Sequence, residues 1–147
     1  MNTYDIFRLL GKRCKDSFLG VFAKDRLPSK LPPRRPLFMI CNFDAHDKGG
    51  SHWIAMYVDE VGQGEYFDSF GRKPIDTFET FLNKNCSSWT YNDKQVQSVI
   101  SKFCGHYCVF YCLFKDLRYD LSDIMKSFTT DTALNDMMVH KFVCENL

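Results

Sequence analysis

Three short apolar runs between residues 37 and 72 predict a group of β-strands. Residues 37–41 follow a proline and are apolar throughout, which is typical of a buried strand. Residues 52–58 and 65–70 are rich in aromatic and apolar side chains, and a turn at residues 60–64 separates them. This pattern is typical of an antiparallel hairpin, so we expect a small sheet in this region.

The spacing of apolar positions predicts helices before and after these strands. Residues 5–10 have the pattern of a short amphipathic helix that ends near Gly11, and residues 75–85 place apolar side chains on one helical face. Residues 105–117 are apolar almost all round, which is typical of a buried central helix. A buried strand is the competing interpretation, but thirteen residues is long for one.

The other segments complete the predicted order of elements. Residues 88–91 are predicted as a short strand, residues 93–103 as a polar loop, and residues 121–128 and 132–146 as two helices. Four prolines between residues 27 and 36 predict an extended connection, because proline lacks a donor and fixes φ. The sequence therefore predicts an α+β domain with an antiparallel sheet packed on helices.

Length and composition exclude several classes of protein. The 147 residues suit one domain, so we expect residues 1–147 to form a single unit. A hydrophobic content of 45% excludes global disorder, and no apolar run approaches the ~18 residues that span a bilayer. Residues 1–10 lack the features of a secretory signal. Seven cysteines cannot all pair within one chain, so we expect free thiols in a reducing compartment.

The net charge of +1 hides an asymmetry along the chain. Residues 1–36 hold nine basic and three acidic side chains, a local charge of +6, so the other 111 residues sum to −5. A basic segment of this kind could contact nucleic acid or an acidic partner. The simpler interpretation is that these basic side chains form an ordinary solvent-exposed surface.

Cys104 is the best candidate for a nucleophile. It lies where the polar loop becomes the helix predicted over residues 104–117, and the N–H groups at a helix N-terminus stabilise a thiolate. Gly105, the next residue, would let a substrate carbonyl approach the backbone. The alternative is that Cys104 begins a stripe of small core residues with Cys108 and Cys112.

A histidine could activate this thiol, and His52 is the best placed of the four in the chain. It begins a predicted strand just after a glycine-containing loop, where a cleft can form. His46 lies in a polar loop, and His140 belongs to a late helix that we expect at the surface. His106 is two residues from Cys104, so on a helix it would point away from the thiol. An ordinary half-buried histidine is the alternative for His52.

Asp68 is the candidate partner of this histidine, because it interrupts an otherwise aromatic strand. A buried carboxylate is costly unless it is paired. A turn centred near Glu60 would place Asp68 directly opposite His52, where it would orient the imidazole. A turn centred on Gln63 would offset the two by several residues, and the sequence leaves this register open. Glu60 and its neighbour Asp59 are less suitable partners, since both lie at the turn.

Gln97 is a candidate for stabilising negative charge at the same site. It lies in the loop seven residues before Cys104. A side-chain amide held there could donate to a developing oxyanion together with the backbone N–H of Cys104. A solvent-facing glutamine is the alternative, and Gln95 is equally suitable by position alone.

The chain could instead be a metal-binding or nucleic-acid-binding module rather than an enzyme. In this interpretation the cysteines and the histidine of the central helix are the ligands. Its ligands would be Cys104, His106, Cys108 and Cys112. This interpretation leaves His52, Asp68 and Gln97 unexplained, and it places the ligands on a very apolar helix.

Taken together, three segments resemble the adenovirus-type cysteine endopeptidases, a group that belongs with the proteases of ubiquitin-like proteins. The segments are Gly49–Trp53, Tyr66–Gly71, and Val96–Gln97 followed by Cys104–Gly105. The order His, then Asp or Glu, then Gln, then Cys is typical of the whole group, and the adenoviral branch also has Gly-Gly before the His-Trp pair. Asn42 and residues 18–22 resemble further segments of that branch.

The resemblance implies a papain-like α+β fold of the adenain type, with a mixed or antiparallel sheet against the central helix. Carried over residue by residue, it makes Cys104 the nucleophile, His52 the base, Asp68 the orienting acid and Gln97 an oxyanion donor. Asp68 stands where adenoviral members often have Glu, and Asp is common in the wider group. The spacing from Gln97 to Cys104 fits the family and favours Gln97 over Gln95.

The same resemblance implies a biological role. It suggests a viral endopeptidase that cleaves precursor structural proteins next to glycine during capsid maturation. Such an enzyme would act in the virion and in the host nucleus or cytoplasm and would not be secreted. A protease or deconjugating enzyme for ubiquitin-like proteins is the alternative.

Activation is a further expectation from the resemblance, although the chemistry itself needs no cofactor. Adenoviral members are activated by DNA and by a short peptide that forms a disulfide with the enzyme. Cys86 stands at the matching position, with a surface cysteine as the alternative. The basic side chains of residues 1–36 could contact the DNA.

Overall fold

The computed structural model describes residues 1–47 and 51–147. Gly49 and Gly50, the glycine pair of the predicted loop, lie outside the described residues. The helices and strands are α1 (Thr3–Arg13), β1 (Phe18–Ala23), a 3-10 helix (Lys24–Arg26), β2 (Leu37–Asn42), β3 (Trp53–Val58), β4 (Gln63–Phe67), α2 (Asp76–Asn85), β5 (Ser88–Tyr91), α3 (Cys104–Asp116), α4 (Leu121–Lys126) and α5 (Thr132–Glu145). No helix in these two ranges is long and apolar enough to cross a bilayer.

The five strands form one mixed sheet in the order β1-β2-β3-β4-β5. Its centre is antiparallel, because β3 pairs with β2 on one side and with β4 on the other. Each edge is parallel: β1 pairs with β2, and β5 pairs with β4. The predicted α+β class and the predicted hairpin are therefore confirmed, and the sequence pattern missed β1.

Helix α3 packs against one face of the sheet, and α2 packs against the other. Phe38 and Ile40 of β2 join the apolar cluster around α3, while Leu37, Met39 and Cys41 join the cluster around α2. Successive side chains of a strand point to opposite faces, so a strand buried on both faces is apolar throughout. This explains why β2 has no polar alternation, and it confirms α3 as a buried central helix.

Two predicted boundaries are wrong. The sequence predicts that α1 ends near Gly11, but the helix continues to Arg13. A capping box at Asn2 stabilises the start of the helix, which offsets the cost of a glycine inside it. The strand predicted over residues 65–70 lies at Gln63–Phe67 instead. Asp68 therefore follows the strand rather than interrupting it.

Candidate active site

Cys104 is the first residue of α3, and its side chain is buried at the floor of a cleft. Phe103 precedes the helix and offers no side-chain cap, so the first N–H groups of α3 have no side-chain acceptor at that position. These groups and the positive end of the helix dipole favour an anion at the sulfur.

His52 lies one residue before β3 and is held by contacts on several sides. Its Nε2 lies 2.7 Å from Oδ1 of Asp68, which leaves Nδ1 as the ring nitrogen available to the thiol. The ring of Phe70 stacks on the imidazole with 4.9 Å between centroids, and Phe43 contacts it edge-on at 5.0 Å. The imidazole therefore has little freedom to rotate away from the cleft.

The pKa values of Cys104 and His52 move toward an ion pair. Burial raises the pKa of the Cys104 thiol, but contacts with His52 and with the backbone N–H groups of Trp53 and Gly105 outweigh burial and lower it below 9.0. Burial lowers the pKa of His52, but hydrogen bonds with Asp68 and with Cys104 outweigh that effect and raise it to about 9. Both shifts favour a thiolate facing an imidazolium over the neutral pair.

The register between β3 and β4 explains how Asp68 reaches His52. Ala55 pairs with Phe67, and continuing this register places Phe70 opposite His52. The turn is therefore centred on Val61, between the two registers that the sequence leaves open. Asp68 is two residues from the opposite position and on the same face, so its carboxylate reaches the imidazole diagonally.

Asn92 is a residue of the site that the sequence did not indicate. Its side chain is buried, its Oδ1 accepts from the N–H of Asp68 at 2.9 Å, and its Nδ2 donates to the C=O of Asp68 at 2.6 Å. Asn92 directly follows β5, whose last residue, Tyr91, pairs with Tyr66 of β4. The side-chain amide of Asn92 thus makes the two hydrogen bonds that the backbone of a further strand residue would make. These bonds fix the main chain of Asp68.

Gln97 is fully buried and lines the cleft beside Cys104. Its Oε1 accepts from the hydroxyl of Ser69, and its Nε2 donates to both the carbonyl and the hydroxyl oxygen of Ser101, each at 3.1 Å. Gln95 is exposed, and its side chain donates to the backbone carbonyl of Gln97. Of the two glutamines, the geometry therefore brings Gln97 to the thiol.

Gly71 brings the chain segment of Asp68 against the segment of Gln97. Its φ is +69°, and a Cβ at this position would lie 2.5 Å from the carbonyl carbon of Lys94. The close approach lets the carbonyl of Ser69 accept from the N–H groups of both Val96 and Gln97. Only glycine combines this left-handed conformation with so little space.

Cys104, His52 and Gln97 open into one cleft of about 610 Å³. Its other lining residues are Met1, Ser51, Trp53, Phe70, Val99, Ile100, Ser101 and Lys102. The cleft is large enough for several residues of a peptide. The thiol and the imidazole thus face the same cleft, and the buried amide of Gln97 lies in its wall.

The remaining candidate residues lie elsewhere. His46 pairs with Asp25 in an exposed loop, and His106 packs between the rings of Phe103 and His140 on the far side of α3. Cys86 is half-buried at the end of α2, outside the cleft lining, and burial raises the pKa of its thiol.

The central helix shows no geometry of a metal site. Within residues 1–47 and 51–147, no three His, Cys, Asp or Glu side chains converge on a position for a metal ion. Cys108 and Cys112 are instead fully buried in the apolar cluster between α3 and the sheet.

A sheet that carries a His–Asp pair, facing a thiol at the start of a buried helix, is the fold of the papain-like cysteine proteases. The model of the adenovirus endoprotease family matches residues 18–138, so the chain belongs to that family. A protease of Frog adenovirus 1 is 32% identical in an alignment 103 residues long, and the alignment covers 60% of this chain and 50% of the relative. The chain thus spans about half the length of the curated relative that it matches.

Solved structures share the fold at low sequence identity. The crystal structure of an ASFV protease superposes with a TM-score of 0.65 and 17% identity, covering 95% of this chain and 66% of that one. ChlaDub1 from Chlamydia trachomatis superposes with a TM-score of 0.56 and 18% identity, covering 76% of this chain and 58% of that one. At these identities the likeness concerns the fold.

Proposed function

We propose that this chain is a cysteine endopeptidase with Cys104 as its nucleophile and His52 as its general acid and base. One observation carries the proposal: Nε2 of His52 lies 2.7 Å from Oδ1 of Asp68, and His52 lines the same open cleft as Cys104, the first residue of α3. Family membership supports the same activity.

Acylation begins with the thiolate of Cys104 attacking the carbonyl carbon of the scissile peptide bond. A C–S bond forms, and the carbonyl oxygen becomes an oxyanion. The imidazolium of His52 then gives its proton to the nitrogen of the leaving amine, and the C–N bond breaks. The products of this half-reaction are a free amine and a thioester on Cys104.

Deacylation uses the same groups in reverse order. Neutral His52 takes a proton from water, and the resulting hydroxide attacks the thioester carbon. The C–S bond breaks, Cys104 leaves as a thiolate, and the carboxylic acid product departs. Asp68 keeps Nε2 of His52 protonated throughout and stabilises the imidazolium between the two half-reactions.

Gln97 and the backbone N–H of Cys104 stabilise the oxyanion in both half-reactions. Among the residues that the structure describes, Nε2 of Gln97 donates to Ser101 alone, so substrate binding has to redirect one of its two protons toward the oxyanion. Loss of one such donor typically costs ~10²–10³ in rate.

The substrates that we propose are viral precursor polypeptides cut next to glycine during capsid maturation. The adenovirus endoprotease family and the Frog adenovirus 1 relative support a viral role. A protease of ubiquitin-like proteins is the second candidate, since ChlaDub1 shares the fold. Cleavage of short glycine-containing peptides, compared with release of a fluorophore from the C-terminus of ubiquitin, distinguishes the two.

Activation by a peptide linked through Cys86 and by DNA bound to residues 1–36 is also part of the proposal. The family supports it, and the +6 charge of residues 1–36 supports the DNA component. Measurement of peptide cleavage with and without duplex DNA tests that component, and salt should weaken any stimulation that depends on phosphate contacts.

Replacement of the nucleophile tests the activity itself. Cys104→Ala should abolish cleavage of unfolded casein and rapid alkylation by iodoacetamide at pH 6, where an ordinary thiol is almost fully protonated. Cys144→Ala is the matched control, because it removes an exposed thiol far along the chain and should change neither property. Circular dichroism checks that both variants fold. Cleavage that persists in Cys104→Ala would overturn the proposal.

A further inference from the structure

The buried face of α5 contains two polar side chains. Asn135 and Asp136 are 1% and 6% exposed, and the other two buried residues of the helix are valines. An amide and a carboxylate are costly to bury unless hydrogen bonds replace those they made to water. Their hydrogen-bond partners therefore indicate what these two side chains do. We call Asn135 and Asp136 the α5 pair.

Asn135 joins two loops with its side-chain amide. Its Nδ2 donates to the carbonyl of Val96 at 3.0 Å and to the carbonyl of Thr129 at 2.9 Å. Its Oδ1 accepts from the N–H of Thr129 at 2.9 Å and from the hydroxyl of the same residue at 3.1 Å. One side chain thus connects the loop that leads into α5 with the residue that precedes Gln97.

Asp136 connects α5 with α3 and with the same segment. Its Oδ1 accepts from the hydroxyl of Tyr107 on α3 at 2.7 Å and from the N–H of Ser98 at 3.3 Å. The hydroxyl oxygen of Tyr107 also lies 3.1 Å from the carbonyl oxygen of Val96. The carboxylate of Asp136 therefore contacts the residue that directly follows Gln97.

The α5 pair thus fixes both neighbours of Gln97 in the chain. Between these neighbours, Val96 and Ser98, the N–H of Gln97 itself donates to the carbonyl of Ser69 at 3.1 Å. The main chain is held at three successive residues, and it determines where the side-chain amide of Gln97 lies in the wall of the cleft. A displacement of about 1 Å in such a group can cost ~10²-fold in rate.

A purely structural role is the alternative, since the same hydrogen bonds join α5 to α3. Tyr111 provides a comparison for such a role. Its side chain is fully buried, its hydroxyl donates to Oε1 of Glu65 at 2.6 Å, and both residues lie outside the cleft lining. Loss of that hydrogen bond should weaken the fold without moving a group of the site.

We infer that Asn135 and Asp136 are positioning residues for the oxyanion donor: they fix the main chain on both sides of Gln97 and so place its amide beside Cys104. The inference rests on the proposed endopeptidase activity and extends the site to α5. The α5 pair lies outside the cleft lining, so it acts through Gln97 and not on the substrate.

A double-mutant cycle between α5 and Gln97 tests the inference. The variants Asn135→Ala, Gln97→Ala and their combination are compared in the full chain on one peptide that the wild type cleaves. Asn135→Ala should lower kcat about tenfold, less than the ~10²–10³ expected for loss of the donor itself, and leave KM within about twofold. In the Gln97→Ala background the same substitution should cost almost nothing, because the amide that it positions is already absent.

Asp136 gives an independent second test in the same cycle. Asp136→Ala should lower kcat in the wild-type background and not in the Gln97→Ala background. Asp136→Asn keeps an acceptor oxygen for Ser98 and Tyr107, so it should retain most of the wild-type kcat.

Tyr111→Phe is the matched control for stability. It removes one hydrogen bond of a buried side chain on α3, so it should lower the midpoint of denaturant unfolding and leave kcat and KM unchanged. If Asn135→Ala and Tyr111→Phe lower the midpoint and kcat alike, the loss of kcat follows stability and the inference is wrong.

The remaining outcomes separate this inference from the proposed function. Equal losses of kcat from Asn135→Ala in both backgrounds, or an unchanged kcat in the wild-type background, would overturn the inference and leave the endopeptidase activity intact. Wild-type cleavage that Gln97→Ala does not slow would reject both the oxyanion role of Gln97 and this inference. If the wild-type chain shows no cleavage and no fast alkylation of Cys104, the proposed function itself fails, and the inference fails with it.

Discussion

The first turn of α3 and its middle contain the same residue type with opposite chemistry. Cys104 begins the helix, and Cys108 and Cys112 follow one and two turns later on the same face. Contacts with His52 and backbone N–H groups lower the pKa of Cys104 despite its burial, whereas burial raises the pKa values of Cys108 and Cys112 well above 9.0.

The difference shows what makes a thiol reactive in this fold. Cys108 and Cys112 lie wholly inside the apolar cluster, where burial disfavours a negative charge. Cys104 has an imidazole partner and the uncapped start of a helix. Position on the helix and neighbours from the sheet, rather than the residue type, therefore distinguish the proposed nucleophile from the two core cysteines.

Removal of the Asp68 carboxylate should raise the pKa of the Cys104 thiol and so make it more like that of Cys108. We expect this substitution to cause the largest loss of activity. Asp68 is the first of the two groups, with Cys104, that raise the pKa of His52 to about 9, so in Asp68→Asn this pKa falls and less imidazolium is present to stabilise the thiolate. We expect kcat/KM to fall at least ~10²-fold. Because the acid form of His52 is lost as pH rises, the alkaline limb of the pH profile should move below 9.

The pH dependence of kcat/KM and of alkylation by iodoacetamide measures this change. Asp123→Asn, at an exposed position of α4, is the matched control and should leave both profiles unchanged. An alkaline limb that stays near 9 in Asp68→Asn would contradict the assignment of Asp68 as the partner of His52.

Asn92→Ala should shift the same limb in the same direction, with a smaller loss. The variant removes both hydrogen bonds to the backbone of Asp68, so the carboxylate is less well placed against His52. We expect kcat/KM to fall about tenfold and the free energy of unfolding to fall by about 1–3 kcal/mol. Asn92→Asp keeps the acceptor for the N–H of Asp68 and should retain part of the activity.

Asn83→Ala provides the control for this substitution, since Asn83 accepts a hydrogen bond from Trp89 on the exposed side of α2. It should leave the pH profile unchanged. If Asn92→Ala lowers stability without moving the alkaline limb, Asn92 supports the sheet and does not position Asp68.

Cys112→Ser should have the smallest effect on catalysis and should act on stability alone. The hydroxyl enters an apolar cluster without a partner, so the free energy of unfolding should fall by about 1–3 kcal/mol. We expect kcat/KM to stay within about twofold of wild type. Denaturant unfolding measures the loss of stability, and peptide cleavage measures kcat/KM. A large loss of activity with unchanged stability would contradict the assignment of Cys112 to the core.

The pattern of apolar residues within each segment was enough to predict most of the helices and strands. The apolar run of β2, the hairpin of β3 and β4, and the apolar surface of α3 each follow from burial on a face or on all sides. The start of α3 at Cys104 also follows from the change from a polar loop to an apolar helix. Strand β1 was missed, because its partner β2 follows only after the proline-rich connection and parallel pairing leaves no hairpin signal.

The geometry around Asp68 depends on contacts that the sequence does not reveal. The pattern of residues 65–70 is typical of a strand, yet β4 ends at Phe67. The register between β3 and β4 places the centre of their turn at Val61. The support from Asn92 joins residues 24 positions apart, and an isolated polar asparagine after a short strand resembles any surface residue. By contrast, the order of His, Asp, Gln and Cys already indicated the residues that the fold brings together: His52, Gln97 and Cys104 line one cleft, and the buried Asp68 contacts His52.

Gly71 has a consequence for how the sequence of this chain can diverge. Its missing side chain lets two loops touch, one that carries the acid Asp68 and one that carries the amide Gln97. A methyl group there would push both loops apart at once and misplace two functional groups through a single substitution. The positions of the proposed acid and of the proposed oxyanion donor therefore depend on one residue, and a related chain without this glycine would need a different path from β5 to α3.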